Sequence, residues 1–129
     1  MTAYLTVQQL LFLHDRLIAE TGGEHTVRDL DLLQSAIARP QATFDGADLY
    51  VGLPAKAAAL MLSIVGNHPF VDGNKRTGIA AAALFLLRNG YTLDASNADV
   101  DAFTMAVAEA RLSFDEIARW LAGHSRPAP

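Results

Sequence analysis

Apolar residues along this chain recur mostly at three- and four-residue intervals, and that spacing predicts helices almost throughout. Leu10, Leu11, Leu17 and Ile18 mark out a first helix. Thr6 supplies its N-cap, Gln9 completes a capping-box pattern, and Thr21-Gly22-Gly23 stops it. A second helix runs from Asp29 to Arg39, with Leu30, Leu33 and Ile37 on one face and Pro40 at its end. Residues 40–53, PQATFDGADLYVGL, predict a loop. Asp45-Gly46 is a turn signal that can fold the loop back as a hairpin-like flap, although alternation there is poor. Pro54 suits the first turn of a third helix ending near Val65-Gly66. A fourth starts near Asn74 and ends at Asn89-Gly90. Asn97 caps a fifth, to about Ala110, and Ser113 a sixth, through Trp120 to Gly123.

No strand pattern or internal repeat stands out. The expected fold is all-α, a compact bundle of about six helices around the fourth, which is apolar on nearly every side. Residues 1–123 are expected to form one domain, and HSRPAP at 124–129 a loose tail.

Composition narrows the function. Half-apolar content over 129 residues supports a real core, and the net charge of −4 argues against a broad nucleic-acid surface. With no cysteine there is no disulfide framework and no thiolate chemistry. MTAYLTVQQL lacks the features of a secretory leader. The longest apolar run, residues 79–87, is about half of what a bilayer requires. The expectation is a cytoplasmic protein with no membrane segment.

One stretch breaks the apolar pattern. HPFVDGNKRTG, residues 68–78, sets His68, Asp72, Asn74, Lys75 and Arg76 against the start of the fourth helix. A helix N-terminus carries free N–H groups and partial positive charge, so acids are favoured there. Lys75 and Arg76 oppose the dipole unless an anion binds, in which case N–H groups and cations act together. Gly73 permits close backbone approach. Asp72 is placed to hold Mg²⁺, which needs one or two protein oxygens beside phosphates and water. His68 is the side chain of the stretch whose ordinary pKa is near neutrality, fit to take a proton from a hydroxyl. Its neighbour Pro69 predicts an extended backbone at His68. Each residue also has a plain reading: Asp72-Gly73 as a turn, Asn74 as a cap, Lys75 and Arg76 as solvated cations. His14, His25 and His124 have no metal-type spacing and read as surface or helix-face residues.

HPFVDGNKRTG resembles the Fic motif, and with Lys75 it resembles the death-on-curing (Doc) toxins of that superfamily. VRDLDLLQSAIARPQATFDGADLY and LPAKAAALMLSIVGNHPF resemble the segments upstream of that motif. The resemblance implies His68 as general base, Asp72 as the Mg²⁺ ligand, and Gly73, Asn74, Lys75 and Arg76 as contacts to ATP phosphates. It also implies that the loop around 43–52 is a flap aligning the target peptide by backbone pairing. Lys75 stands where adenylylating Fic enzymes usually have glycine, and Ile79 where they tend to have a second arginine. The implied activity is transfer of the γ-phosphate to a protein hydroxyl, with elongation factor Tu as target. AMP transfer and a non-catalytic nucleotide- or antitoxin-binding module are the alternatives. The self-inhibitory string [Ser/Thr]-x-x-x-Glu-[Gly/Asn] does not occur, which implies restraint by a separate antitoxin.

Overall fold

The computed structural model describes residues 1–129 and contains six helices and two small two-stranded sheets. The helices are α1 (Val7–Thr21), α2 (Leu30–Ala38), α3 (Leu53–Asn67), α4 (Asn74–Arg88), α5 (Asn97–Ala108) and α6 (Phe114–Gly123). A short 3-10 turn, Arg39–Gln41, follows α2 and buries Pro40.

Local chemistry explains most boundaries. Thr6 with Gln9 and Ser113 with Glu116 form complete capping boxes at α1 and α6. Asp29 caps α2 through the Leu32 N–H. At α5 the cap is Ser96, not Asn97: its hydroxyl accepts from the Asp99 N–H, and Asn97 is the first helical residue. Helix α3 continues to Asn67, one turn's edge beyond Val65-Gly66, and delivers the chain directly to His68.

All six helices feed one core. Its centre is the α3–α4 pair, where Ala57, Ala58, Ala81 and Ala82 are fully buried. Small residues let these helices approach closely, and a Cβ on Gly78 would collide with Val65. Helix α4 shares the centre with α3 and is not covered on every side, since Leu87 is exposed. Leu30, expected on the inner face of α2, is also exposed, whereas Leu33 and Ala36 are fully buried.

The expectations of no strands and of a loose tail are corrected, while the hairpin offered for residues 40–53 forms. Strand β3 (Tyr91–Leu93) pairs antiparallel with β4 (Ser125–Pro127), so the 124–129 tail is tied down, not loose. The Asp94 N–H bonds the His124 carbonyl, and the Ala128 N–H bonds the Gly90 carbonyl, extending the ladder at both ends. In residues 40–53, β1 (Thr43–Phe44) pairs with β2 (Ala47–Asp48) as a hairpin. Asp45 and Gly46 both have positive φ, 53° and 81°, as a tight two-residue turn requires. No helix is long and apolar enough to cross a membrane.

Candidate active site

The loop from His68 to Gly73 joins α3 to α4 and is held from two directions. Residues 24–29 run along one side. The Val71 N–H bonds the Thr26 carbonyl at 3.0 Å, and the Arg28 and Asp29 N–H groups both reach the Pro69 carbonyl. The Glu24 N–H donates to Asp72 Oδ2 at 2.9 Å. Helix α1 lies underneath. His14 is buried there, its ring stacked on Phe70 at 3.7 Å between centroids. His14 Nε2 lies 2.8 Å from the Asp72 carbonyl. A carbonyl only accepts, so Nε2 carries the proton. His14 is therefore a buried support of the loop, not a surface histidine.

His68 caps the end of α3 in the left-handed conformation, φ 54° and ψ 60°. This corrects the extended backbone expected before Pro69. Two contacts hold it there: the His68 N–H closes the last helical bond of α3 to the Ile64 carbonyl at 3.2 Å, and Arg28, remote in sequence, captures the Asn67 and His68 carbonyls. A left-handed non-glycine residue is uncommon, and such strain gathers at functional positions. The His68 side chain is exposed.

Gly73 precedes α4 with φ 81°, and a Cβ there would come within 2.9 Å of Ile18 Cδ1. The positive φ requires glycine, and a Cβ would in addition push the Ile18 terminal methyl aside. Asn74 is buried, and its side chain is committed to the Phe70 backbone: Oδ1 accepts from the N–H at 3.0 Å and Nδ2 donates to the carbonyl at 2.8 Å. It locks the loop, leaving its own backbone N–H for any ligand at the helix terminus.

That terminus is electrostatically unbalanced. Helix α4 has no side-chain cap and no acid in its first turn. Lys75 and Arg76 are exposed, and neither belongs to any of the ion pairs in the molecule. They line a cleft of about 360 Å³ together with Asp72, Gly73, Asn74, Leu17, Ile18 and Thr21 of α1, and Gly22 and Gly23 just after it. Asp72 is exposed, with Oδ2 engaged by Glu24. Its other oxygen is free for a hard cation. No cluster of three His, Cys, Asp or Glu side chains forms a metal site. A single carboxylate oxygen fits Mg²⁺ bound with phosphates and water. Five of the six expected site residues thus meet at one cleft, while His68 stands at the far end of the same loop.

The supports of this site, His14 and Arg28, lie far from the motif in sequence and were not singled out by it. Arg28 carried a readable signal, an arginine just before the Asp29 cap, but its partners are backbone carbonyls that no side-chain pattern reveals.

The sequence profile of the Fic/DOC family matches residues 4–86. The chain is 50% identical over 110 residues to a protein named Toxin Doc from Mycolicibacterium smegmatis (strain ATCC 700084 / mc(2)155). That match spans 83% of this chain and 84% of the relative. It is 30% identical over 115 residues to the Protein kinase doc of Escherichia phage P1, spanning 89% and 90% of the two chains. With Asp72 to Arg76 gathered at the α4 terminus around one cleft, the profile match over residues 4–86 and the two relatives show that the chain belongs to the Fic/DOC family.

Proposed function

We propose that the chain is a toxin-type protein kinase that transfers the γ-phosphate of ATP to a hydroxyl of a protein, with elongation factor Tu as the target. The observation that carries this reading is the α4 terminus: uncapped, without acids, flanked by two unpaired cations and one carboxylate, and open to a cleft. An anion of high charge resolves that imbalance. One relative is named a toxin and another a protein kinase, which supports the same reading.

His68 takes the proton as the target oxygen attacks the γ-phosphorus. The bond from that phosphorus to the β–γ bridging oxygen breaks, and ADP leaves. The α4 N–H groups, Lys75 and Arg76 hold phosphate oxygens in place. Lys75 fills the space a glycine would leave along the helix start, which favours the γ-phosphate beside His68. A Mg²⁺ held by Asp72 would neutralise phosphate charge during transfer. Phosphoryl transfer depends mainly on such positioning and neutralisation.

Restraint comes in trans, from an antitoxin. Expression of the chain alone should arrest growth, a neighbouring small gene should relieve it, and elongation factor Tu recovered from arrested cells should be heavier by one phosphate. Unmodified elongation factor Tu in arrested cells would reject the target. Harmless expression of the folded chain would reject the toxin reading.

A further inference from the structure

The β1–β2 hairpin stands away from the core. Thr43, Phe44, Ala47 and Asp48 are all exposed, and both edges of this two-stranded sheet are open. An open edge is a template for an extended peptide, but only if it is held in one place.

A single buried ammonium fastens it. Lys56 projects from the first turns of α3 and is 3% exposed. Its Nζ donates to the Pro40 carbonyl at 3.3 Å and to Asp48 Oδ2 at 3.1 Å, and it lies 5.6 Å from the centre of the Tyr4 ring. Pro40 is where the segment leaves α2, and Asp48 is the end of β2. The turn that leads into the hairpin and the end of its second strand are thus bound to one point on α3. The remaining closure, from the Leu49 N–H to the Ala42 carbonyl at 2.9 Å, lies within the segment itself. Lysine is rarely buried without partners. Burial alone would push this amine down, yet the attraction of Tyr4 and Asp48 outweighs it and holds the amine above its ordinary value. The charge persists at neutral pH, so the tie does too.

We propose that Lys56 is a positioning residue that, through Asp48 and the Pro40 carbonyl, holds the 43–48 hairpin in the one pose that accepts the target polypeptide. The proposal rests on the reading of this hairpin as the target-aligning flap. Lys56 touches neither nucleotide nor target. It acts by having the strand edge ordered before the target arrives, so the target's binding does not carry that ordering cost.

The test compares wild type with Lys56→Met and with Asp48→Ala, the latter removing the exposed partner without opening the core. With purified elongation factor Tu and γ-labelled ATP, both variants should raise KM for the protein about tenfold, while kcat and the ATP dissociation constant stay within about twofold, the signature of lost ground-state binding. The double variant should be no worse than either single one, because both remove the same tie. Hydrogen exchange should speed at the hairpin amides in both variants and stay unchanged in α3 and α4. An unchanged KM for Asp48→Ala, or a loss of ATP binding in both variants, would overturn the proposal. If wild type transfers no label, the kinase reading fails instead. Hydrogen exchange then decides the proposal alone, and equal hairpin protection in all three proteins overturns it.

Discussion

Arg28 grips the backbone of His68: its Nε donates to the His68 carbonyl at 2.6 Å and its Nη2 to the Asn67 carbonyl at 2.7 Å. These carbonyls belong to the last turn of α3 and its cap, where a cation also opposes the negative end of the helix dipole. The geometry makes Arg28 the clamp on the orientation of the proposed base. Arg28→Lys cannot span both carbonyls with one fork. It should cost roughly 1 kcal/mol of stability. A displacement of about 1 Å at His68 can slow transfer by about 10²-fold. The check is kcat beside thermal unfolding for Arg28→Lys and Arg28→Ala. Wild-type kcat in both variants would show that the clamp does not serve the base.

The left-handed backbone of His68 sets stability against function. His68→Ala should remove a general base, costing about 10²–10⁴ in rate, and leave the fold intact because the side chain is exposed. His68→Gly should be equally inactive yet more stable than His68→Ala by about 1 kcal/mol, since glycine adopts φ 54° without a Cβ penalty. Denaturant midpoints of the two variants measure this directly. An Ala variant as stable as the Gly variant would refute the backbone argument, and growth arrest by either would refute the role of the base.

Asp72→Asn should abolish the effect of Mg²⁺ on nucleotide binding. The amide keeps the shape and loses the charge that a hard cation selects. Titration of ATP with and without Mg²⁺ should give one affinity for the variant and two for wild type. An unchanged Mg²⁺ effect would place the ion on another group.

Much of the fold was readable because its boundaries are local. Thr6, Pro54, Ser113 and Gly123 act on residues within one turn, so adjacent sequence carries the whole signal. The grouping of the candidate site was readable for the same reason, since Asp72 to Arg76 are consecutive and line one cleft. What stayed hidden is long-range. Strands β3 and β4 are three residues each, too short to alternate, and they meet only after α5 and α6 have returned the chain. The burial of His14 depends on a loop 58 residues away. The burial of Lys56 depends on Pro40 and Asp48, which come from the segment preceding α3 and fold over it.

Acid should loosen α6 first at its cap. The Ser113 N–H holds the Glu116 carboxyl below its ordinary value of 4.5. A depressed carboxyl contributes stability above that ordinary value and loses it as pH falls through the folded value. Glu116→Gln should therefore lower the unfolding midpoint at neutral pH and match wild type at pH about 2. A difference that grows toward acid would contradict the sign.

The most direct measurement of the central claim uses purified protein, purified elongation factor Tu, Mg²⁺ and ATP labelled at either the α- or the γ-phosphate. Lys75, exposed at the start of α4, is expected on the proposed reading to turn the γ-phosphate toward His68. Label from γ-ATP alone should stay on elongation factor Tu, with none from α-ATP and none with His68→Ala. Retained label from α-ATP would mean that AMP is transferred, and would contradict the account.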